Sequence, residues 1–222
     1  MDMKEAMYTR HTVRKYTDQA IPVEIVTLMN QRIDENNRKY NLNIKLVTDD
    51  TSAFGVIAKL ILAKGIKNYL VLAGPPNKDI DEKLGYCSAD LMLYAQTLGL
   101  NTWYVGGTYN RKSISKKAGE GRVIGVVAIG YGATQGVPHK SKIPSKVSSY
   151  EGDMPDWFKN GIEAALLAPT ALNKQAFYIT GKGNKVKIIC DNGIFTGVDL
   201  GIIKYHFELG AGRENFEWMT DF

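Results

Sequence analysis

Cysteine is scarce in this chain, and long apolar runs are missing. Cys87 and Cys190 are the only cysteines among 222 residues, too few for the disulfide framework that stabilises small secreted proteins. The first ten residues carry no apolar run of the signal-peptide type, so we expect a cytoplasmic protein. Lysines interrupt the stretch 53–74, and no other stretch approaches the roughly 18 to 20 apolar residues of a membrane-spanning helix.

The motifs of phosphate-binding loops, dinucleotide folds and serine hydrolases are also missing. The chain contains no G-x-G-x-x-G, no G-x-x-x-x-G-K-[ST] and no G-x-S-x-G. Its three histidines, His11, His139 and His206, are scattered and lack the cysteine or acidic partners of a metal site. We therefore expect neither a bound metal nor a dedicated dinucleotide-binding domain.

The composition that remains is that of a globular protein. Hydrophobic residues make up 44% of the chain and charged residues 23%, which is enough to build a sizeable core at this length. The 28 Lys and Arg against 23 Asp and Glu give a net charge of +5. This mild excess favours an anionic partner, and by itself leaves nucleic acid, a membrane surface and a phosphorylated small molecule open.

Apolar periodicity and turn residues predict alternating helices and strands. The predicted elements are a short helix over Met3–Thr9, a helix over 22–36, a strand over Tyr69–Ala73, a helix over Asp81–Leu98 closed by Gly99, strands over Asn101–Val105 and Arg122–Gly130, a helix over Trp157–Leu166, strands over Gln175–Thr180 and Val186–Cys190, a helix over Phe195–Leu209 ended by Gly210, and a strand over Asn215–Thr220. Hairpins and crossovers in mixed order favour an α+β fold, with 131–150 as a long irregular connection.

The later elements resemble an abbreviated copy of the earlier ones. Leu84-Gly85-Tyr86 and the helix after it match Leu200-Gly201-Ile202 and its helix. We therefore predict two related halves, 1–150 and 151–222, packed as one compact unit.

A basic segment near the start of the chain is a candidate anion site. Arg10, Arg14, Lys15 and the Thr12 hydroxyl can together form a fork for a phosphate. The charge pattern taken alone favours a solvated basic turn.

Two later segments carry polar groups of the same kind. Lys140 and Lys142, separated by one serine, can close on the same anion. Asn173 and Gln175 precede an apolar strand, and their amides can offer donor and acceptor together to a heterocycle edge. Alternatively, the amides of Asn173 and Gln175 only form hydrogen bonds to the polar groups of a loop.

Together these segments resemble the FMN-dependent nitroreductase family. Arg10–Tyr16 resembles its Arg-Arg/His-Ser-x-Arg/Lys element, and Ala168–Gln175 resembles its Ala-Pro-Ser-x-x-Asn-x-Gln element. His139–Pro144 resembles its late Lys-x-Arg element, and Leu98–Gly107 its loop after the long helix. The resemblance covers most of the chain and implies the family's three-layer α/β/α fold.

The order of these motifs departs from the family pattern. The region 36–42 carries no Ala-Pro-Ser, and the segment 151–156 is acidic where a phosphate-binding arginine pair is expected. The first half therefore lacks the Ala-Pro-Ser element, and the second half lacks the phosphate-binding arginine pair. Because family members are homodimers with flavins at the interface, the resemblance implies a pseudo-dimer within one chain, with one composite site, so that a monomer is permitted and a dimer is not excluded.

The resemblance also assigns cofactor contacts. It places the FMN phosphate at Arg10, Lys140 and Lys142, with His11 and Thr12 close to the ribityl chain and phosphate. It places Arg14 at the N1/O2 edge of the ring, where positive charge stabilises reduced flavin. Ring-face and ring-edge contacts fall to Pro169, Thr170, Asn173 and Gln175, and the opposite side to Tyr104, Val105, Gly106 and Gly107.

The implied activity is hydride transfer from NADH or NADPH through flavin N5 to a nitroaromatic, quinone-like or other small acceptor. No side chain is assigned a catalytic role, because the cofactor carries the chemistry. Gly106 stands where the family has an acidic residue near N5, so a flavin-binding protein without NAD(P)H turnover is the alternative. Nucleic-acid binding ranks third, because the charge excess is small and no such motif is present.

Overall fold

The structure, a computed structural model, describes residues 1–54, 64–119 and 121–219. Within these ranges six α-helices and eight strands form. The helices are α1 (Met3–Thr9), α2 (Val23–Tyr40), α3 (Ile80–Thr97), α4 (Arg111–Ala118), α5 (Asp156–Leu166) and α6 (Thr196–Ala211). The strands are β1 (Lys45–Val47), β2 (Tyr69–Gly74), β3 (Asn101–Val105), β4 (Arg122–Gly130), β5 (Ser148–Glu151), β6 (Phe177–Lys182), β7 (Lys185–Cys190) and β8 (Glu217–Trp218).

The first sheet is antiparallel, has the order β1-β2-β4-β3, and is buried on both faces. Successive side chains of a strand point to opposite faces. In β2, Leu70 and Leu72 join the core around α3, whereas Tyr69 and Val71 join a second cluster that includes Ile114 of α4. This double burial explains why β2 and β4 were predictable as apolar runs.

The second sheet is formed by the strands from Ser148 onward and has the order β5-β6-β7-β8. β6 and β7 form an antiparallel hairpin, and the two outer pairings are parallel. Phe158 of α5, Phe207 of α6 and Ile179 of β6 lie in the same core cluster as Leu70 and Leu72 of the first sheet. The two halves thus share one hydrophobic core, and the predicted α+β fold is confirmed.

The two long helices cross at a reciprocal pair of glycines. A Cβ on Gly85 of α3 would lie 2.2 Å from the carbonyl oxygen of Val198, and a Cβ on Gly201 of α6 would lie 2.0 Å from that of Glu82. Each glycine therefore meets the residue three positions before the other, as in a two-fold interface. The predicted match of the segments at 84–86 and 200–202 is a real structural equivalence, and the chain contains two related halves.

Several predicted boundaries differ from the structure. α2 continues to Tyr40, because Asn41 adopts the left-handed conformation (φ 55°) that ends it. The prediction that Gly210 ends α6 is wrong: the helix continues to Ala211, and Gly212 at φ 79° follows it. Gly210 instead allows close contact with Ala164 of α5.

Three short elements, β1, α4 and β5, were not predicted. β5 begins at Ser148 inside the connection taken as irregular, and it pairs with β6 of the second sheet. The predicted boundary at residue 150 stays a prediction. The last predicted strand contains only Glu217–Trp218, and its residue 220 lies outside the described residues.

Among the described helices, none is both long enough and apolar enough to cross a membrane.

Candidate functional site

The guanidinium of Arg10 is buried without an anionic partner. Arg10 follows the last turn of α1, is 5% exposed, and forms no side-chain ion pair or hydrogen bond with any described residue. Burial lowers its pKa from 12.5 to about 10. Because an unpaired buried charge is costly, this position is suited to an anion that the chain itself does not supply.

All three histidines lie near this arginine, although they are far apart in sequence. Burial lowers the pKa of His11, and the charges of Arg10 and His139 lower it further. His206 is 1% exposed, and its Nδ1 donates to Ile202 O at 2.9 Å, which leaves Nε2 without a partner. Burial lowers the pKa of His206 to about 3, with smaller effects from Arg10 and His139. The lowered pKa values favour the neutral rings of His11 and His206, so Arg10 carries the positive charge at this end of the candidate site.

Backbone pairing fixes the segment 10–16 between β3 and the long connection. Val13 N donates to Thr102 O (3.2 Å), and Ala133 N donates to Lys15 O (2.9 Å). Thr12 is half-buried and forms an isolated bridge with Thr102. The solvated basic turn that the charge pattern favoured is therefore not what forms around Arg10.

Arg14 leaves this segment on a different side. Its guanidinium lies over the ring of Trp103, 5.4 Å from the centroid, and Phe54 stacks on the same ring at 6.1 Å. Arg14 is exposed. Stacking on an aromatic ring restricts the guanidinium to one region while leaving its N–H groups free to bind.

Gln175 joins the basic loop at 139–142 to the end of α5. Its Oε1 accepts from Lys142 N (2.7 Å), and its Nε2 donates to Leu166 O (2.8 Å). His139 and Ser141 donate to the same carbonyl, so an end-of-helix oxygen receives three donors. The amide of Gln175 is 1% exposed and bonds only protein groups, which makes it a side chain that positions the loop.

The two lysines of this loop differ. The Nζ of Lys142 donates to the carbonyl oxygen of Gln175 at 2.8 Å, whereas the side chain of Lys140 is exposed and has no described partner. The backbone oxygen of Lys140 accepts from Asn173 Nδ2 (2.8 Å). An ammonium has three N–H donors, so both lysines keep donors for an anion.

The turn at 169–175 is strained. Leu172, Asn173 and Gln175 all have positive φ, at 53°, 53° and 45°, a region that costs non-glycine residues of the order of 1 kcal/mol or more each. The Thr170 hydroxyl accepts from Gln175 N (3.1 Å) and supports the turn from within. Pro169 is half-buried and Leu172 is 90% exposed.

The segment Tyr104–Gly107 is closely packed up to Gly106 and opens at Gly107. The Tyr104 hydroxyl is buried without a partner and lies against Gly125 of β4. Val105 is 3% exposed and packs toward α4. Gly106 has no room for a Cβ, because the ring of Phe195 lies within 2.5 Å of that position, whereas Gly107 faces open space.

The start of α6 links two predicted walls of the site, and the sequence analysis missed this link. Phe195 contacts Gly106, and one turn later the carboxylate of Asp199 accepts from Ala171 N at 3.0 and 3.2 Å. Burial raises the pKa of Asp199 to about 6. A single carboxylate in a helix gives no local sequence signal for this contact.

A second cleft lies between α2, α3 and α6, and contains none of the predicted site residues. Its volume is about 270 Å³, and its lining includes Arg32, Asn36, Tyr86, Asp90 and Tyr205. Asp90 is 2% exposed and accepts from Arg32 (2.6 and 2.9 Å), Asn36 (2.8 Å) and Tyr205 (2.7 Å). This carboxylate is fully paired.

The four predicted segments thus converge through direct contacts. Segment 10–14 lies beside the start of β3 and beside 136–139, the loop at 139–142 bonds the turn at 169–175, and α6 joins that turn to Gly106. The orphaned Arg10 guanidinium lies at one end of this arrangement. The donor set fits a phosphate at that end, as a phosphorylated flavin requires.

Comparison with known proteins identifies the relatives. A family model described as "Putative TM nitroreductase" matches residues 2–211. A crystal structure from Thermotoga maritima MSB8 described as a "putative nitroreductase" superposes with a TM-score of 0.67 at 20% identity, covering 96% of this chain and 85% of that one. No curated protein sequence matches the chain.

Two further solved structures share the fold over about two thirds of the chain. One, from Bacteroides thetaiotaomicron VPI-5482, is named as an NADH dehydrogenase/NAD(P)H nitroreductase, with a TM-score of 0.51, 17% identity, and coverage of 65% of this chain and 95% of that one. The other, from Staphylococcus epidermidis ATCC 12228, is named as an NAD(P)H:FMN oxidoreductase, with a TM-score of 0.51, 14% identity, and coverage of 66% and 94%. With the family match over nearly its whole length, the chain belongs to the nitroreductase family of oxidoreductases.

Proposed function

We propose that this protein is an FMN-dependent oxidoreductase that uses NADH or NADPH to reduce a nitroaromatic, quinone-like or other small acceptor. The observation that carries the proposal is the buried guanidinium of Arg10, which lies beside His11 and His206 and has no ion-pair partner among the described residues. The names of related structures, which include an NAD(P)H:FMN oxidoreductase, agree with it.

The phosphate end of the site would be formed by Arg10, Lys140 and Lys142. Arg10 offers a guanidinium that has no competing carboxylate among the described residues, and the loop that carries the lysines is fixed by Gln175. His11 and Thr12 would lie next to the ribityl chain. Because these donors are already held in place, less conformational entropy is lost when the phosphate binds.

The ring would lie between the turn at 169–175 and the segment Tyr104–Gly107. Bound FMN would supply the hydride chemistry. Pro169 would cover a ring face, and Asn173 would offer its amide oxygen, because its Nδ2 is bonded to Lys140. Arg14, held over Trp103, would place positive charge at the N1/O2 edge.

One such site per chain follows from the pseudo-dimeric halves, so we propose a monomer as the minimal functional unit, in the cytoplasm. A flavin-binding protein without turnover is the second candidate. It is favoured by Gly106, which brings no acidic group, and by the Phe195 ring that fills the space beside it.

Anaerobic reduction separates the two candidates. Protein loaded with FMN should lose its visible absorbance when NADH or NADPH is added, and regain it with a quinone or nitroaromatic. A bound flavin that neither nicotinamide bleaches supports the binding protein. A chain that stays colourless with added FMN contradicts both.

A further inference from the structure

Asp199 lies where two walls of the candidate site meet, the turn at 169–175 and the segment Tyr104–Gly107. Both of its carboxylate oxygens accept the N–H of Ala171, at 3.0 and 3.2 Å. Ala171 belongs to the strained turn at 169–175, and Phe195, one turn before Asp199, packs on Gly106. One helix start therefore sets the position of both walls.

The strained turn needs external support. Three of its residues have positive φ, and Leu172 is 90% exposed and so gains little from packing. Strain of this kind persists only where surrounding bonds fix it. The bonds from Thr170 and Asn173 arise within the turn or lead to the 139–142 loop, and Gln175 bonds that loop and Leu166 O at the end of α5. Asp199 is therefore the anchor of the turn on α6.

We propose that Asp199 is a positioning residue of the flavin site, whose ionised carboxylate holds the 169–175 turn in the conformation that receives the cofactor. The inference rests on the proposed function. An ionised acceptor makes a stronger bond to a backbone N–H than a neutral one, so protonation of Asp199 weakens the anchor and lowers the population of the binding conformation.

The surroundings of Asp199 place its titration close to neutral pH. Burial raises its pKa to about 6. Tyr104 of β3 and Cys190 at the end of β7 are the titratable groups that interact with it, and each has its own pKa raised. Asp81 of α3 packs on Gly197, in the preceding turn, and its charge pairs with Arg122. On α6 itself, Lys204 pairs with Glu82 of α3. No described cation pairs with Asp199.

The sign of the stability effect separates this role from a merely structural one. A carboxyl whose folded pKa is raised favours folding below its unfolded pKa, and this contribution is lost as pH rises through about 6. Asp199→Asn, which keeps an acceptor oxygen without the charge, should therefore gain stability relative to wild type between pH 4 and pH 7. If Asp199 were present only to stabilise the fold, Asp199→Asn should instead lose stability relative to wild type over this pH range.

The test measures FMN binding and, independently, the turn in FMN-free protein. Because the pKa of Asp199 is about 6, the FMN affinity of wild type should fall by up to roughly fourfold more than that of Asp199→Asn between pH 7.5 and pH 5.5. Asp199→Ala should bind at least roughly tenfold more weakly than wild type at pH 7.5. The comparison with Asp199→Asn removes the contributions of the FMN phosphate and of His11 to the pH dependence. Asp191→Asn, an exposed carboxylate before the same helix, should retain the wild-type profile.

The second readout is hydrogen exchange of the Ala171 amide without FMN. Its protection, corrected for intrinsic exchange, should be lost in Asp199→Ala and should decrease in wild type, but not in Asp199→Asn, as pH falls through 6. Equal protection in wild type and Asp199→Ala overturns the inference. So does an identical FMN profile in wild type and Asp199→Asn. Exchange that behaves as expected, with no FMN binding by any variant, instead overturns the proposed function and with it the cofactor role of the turn.

Discussion

His206 of α6 and Asp90 of α3 occupy equivalent positions, each five residues beyond the glycine at which the two helices cross. Near His206 lies the unpaired guanidinium of Arg10. At the equivalent position the Asp90 carboxylate is already paired with Arg32. One of the two related places can therefore accept a phosphate, whereas the other contains its own anion, and this physical difference explains why the pseudo-dimer should keep a single site.

The crossing of α3 and α6 should tolerate no side chain. The Cβ added by Gly85→Ala would lie 2.2 Å from a backbone carbonyl oxygen, and the Cβ added by Gly201→Ala would lie 2.0 Å from another, so both would overlap that oxygen. We expect each substitution to lower the free energy of unfolding by about 1–3 kcal/mol or more. Urea unfolding measures this. Gly193→Ala, at a glycine with space for a Cβ, is the control, and equal stability of all three variants would contradict the reciprocal packing.

Gln175 should matter for the loop at 139–142. Gln175→Leu leaves Lys142 N–H without its acceptor and removes one donor from Leu166 O, and we expect a loss of about 1–3 kcal/mol of stability. Faster hydrogen exchange of the Lys142 amide should accompany the loss. Gln31→Leu, at an exposed position of α2, should change neither quantity; an unchanged Lys142 amide in Gln175→Leu would contradict the positioning role.

His206 should make the fold sensitive to acid. Its folded pKa is lowered from 6.5 to about 3, so between these pH values the unfolded state binds more protons and stability falls as pH falls, by up to about 1.4 kcal/mol per pH unit. His206→Leu should flatten the dependence of the unfolding free energy on pH between 6 and 4. A variant with the same slope as wild type would show that His206 is not buried as a neutral ring.

Arg10 should be costly to stability and necessary for binding. Arg10→Met removes a buried charge without breaking any described ion pair, so the melting temperature of FMN-free protein should not fall. FMN affinity should fall by roughly 10- to 100-fold, because a charge-assisted contact to the phosphate is lost. Arg38→Met, on the exposed surface of α2, makes the same charge change and should leave both values unaltered.

Local patterns predicted the elements that have a strong period or clear turn residues. The leucines and alanines of α3 recur at helical spacing, and β2 ends at Gly74, directly before two prolines. In contrast, α4 has only Ile114 and Ala118 buried, which is too little periodicity to detect, and β1 has three residues. β5 owes its existence to pairing with β6, which is not a local property.

The candidate site was predictable only in part, for the same reason. Resemblance to family motifs selected Arg10 and Gln175, but it could not tell that one is unpaired while the other bonds only protein groups. Asp199 and Phe195 act through contacts with segments far away in sequence. Such relationships depend on tertiary structure, and residue spacing carries no trace of them.

Titration of the FMN-free protein with FMN, followed by flavin fluorescence or calorimetry, tests the central claim of one composite flavin site most directly. We predict saturation at about one FMN per chain, with binding lost or strongly weakened in both Arg10→Met, from the first half, and Asp199→Ala, from the second. Saturation at two FMN per chain, or the absence of FMN binding by the wild-type protein, would contradict the account.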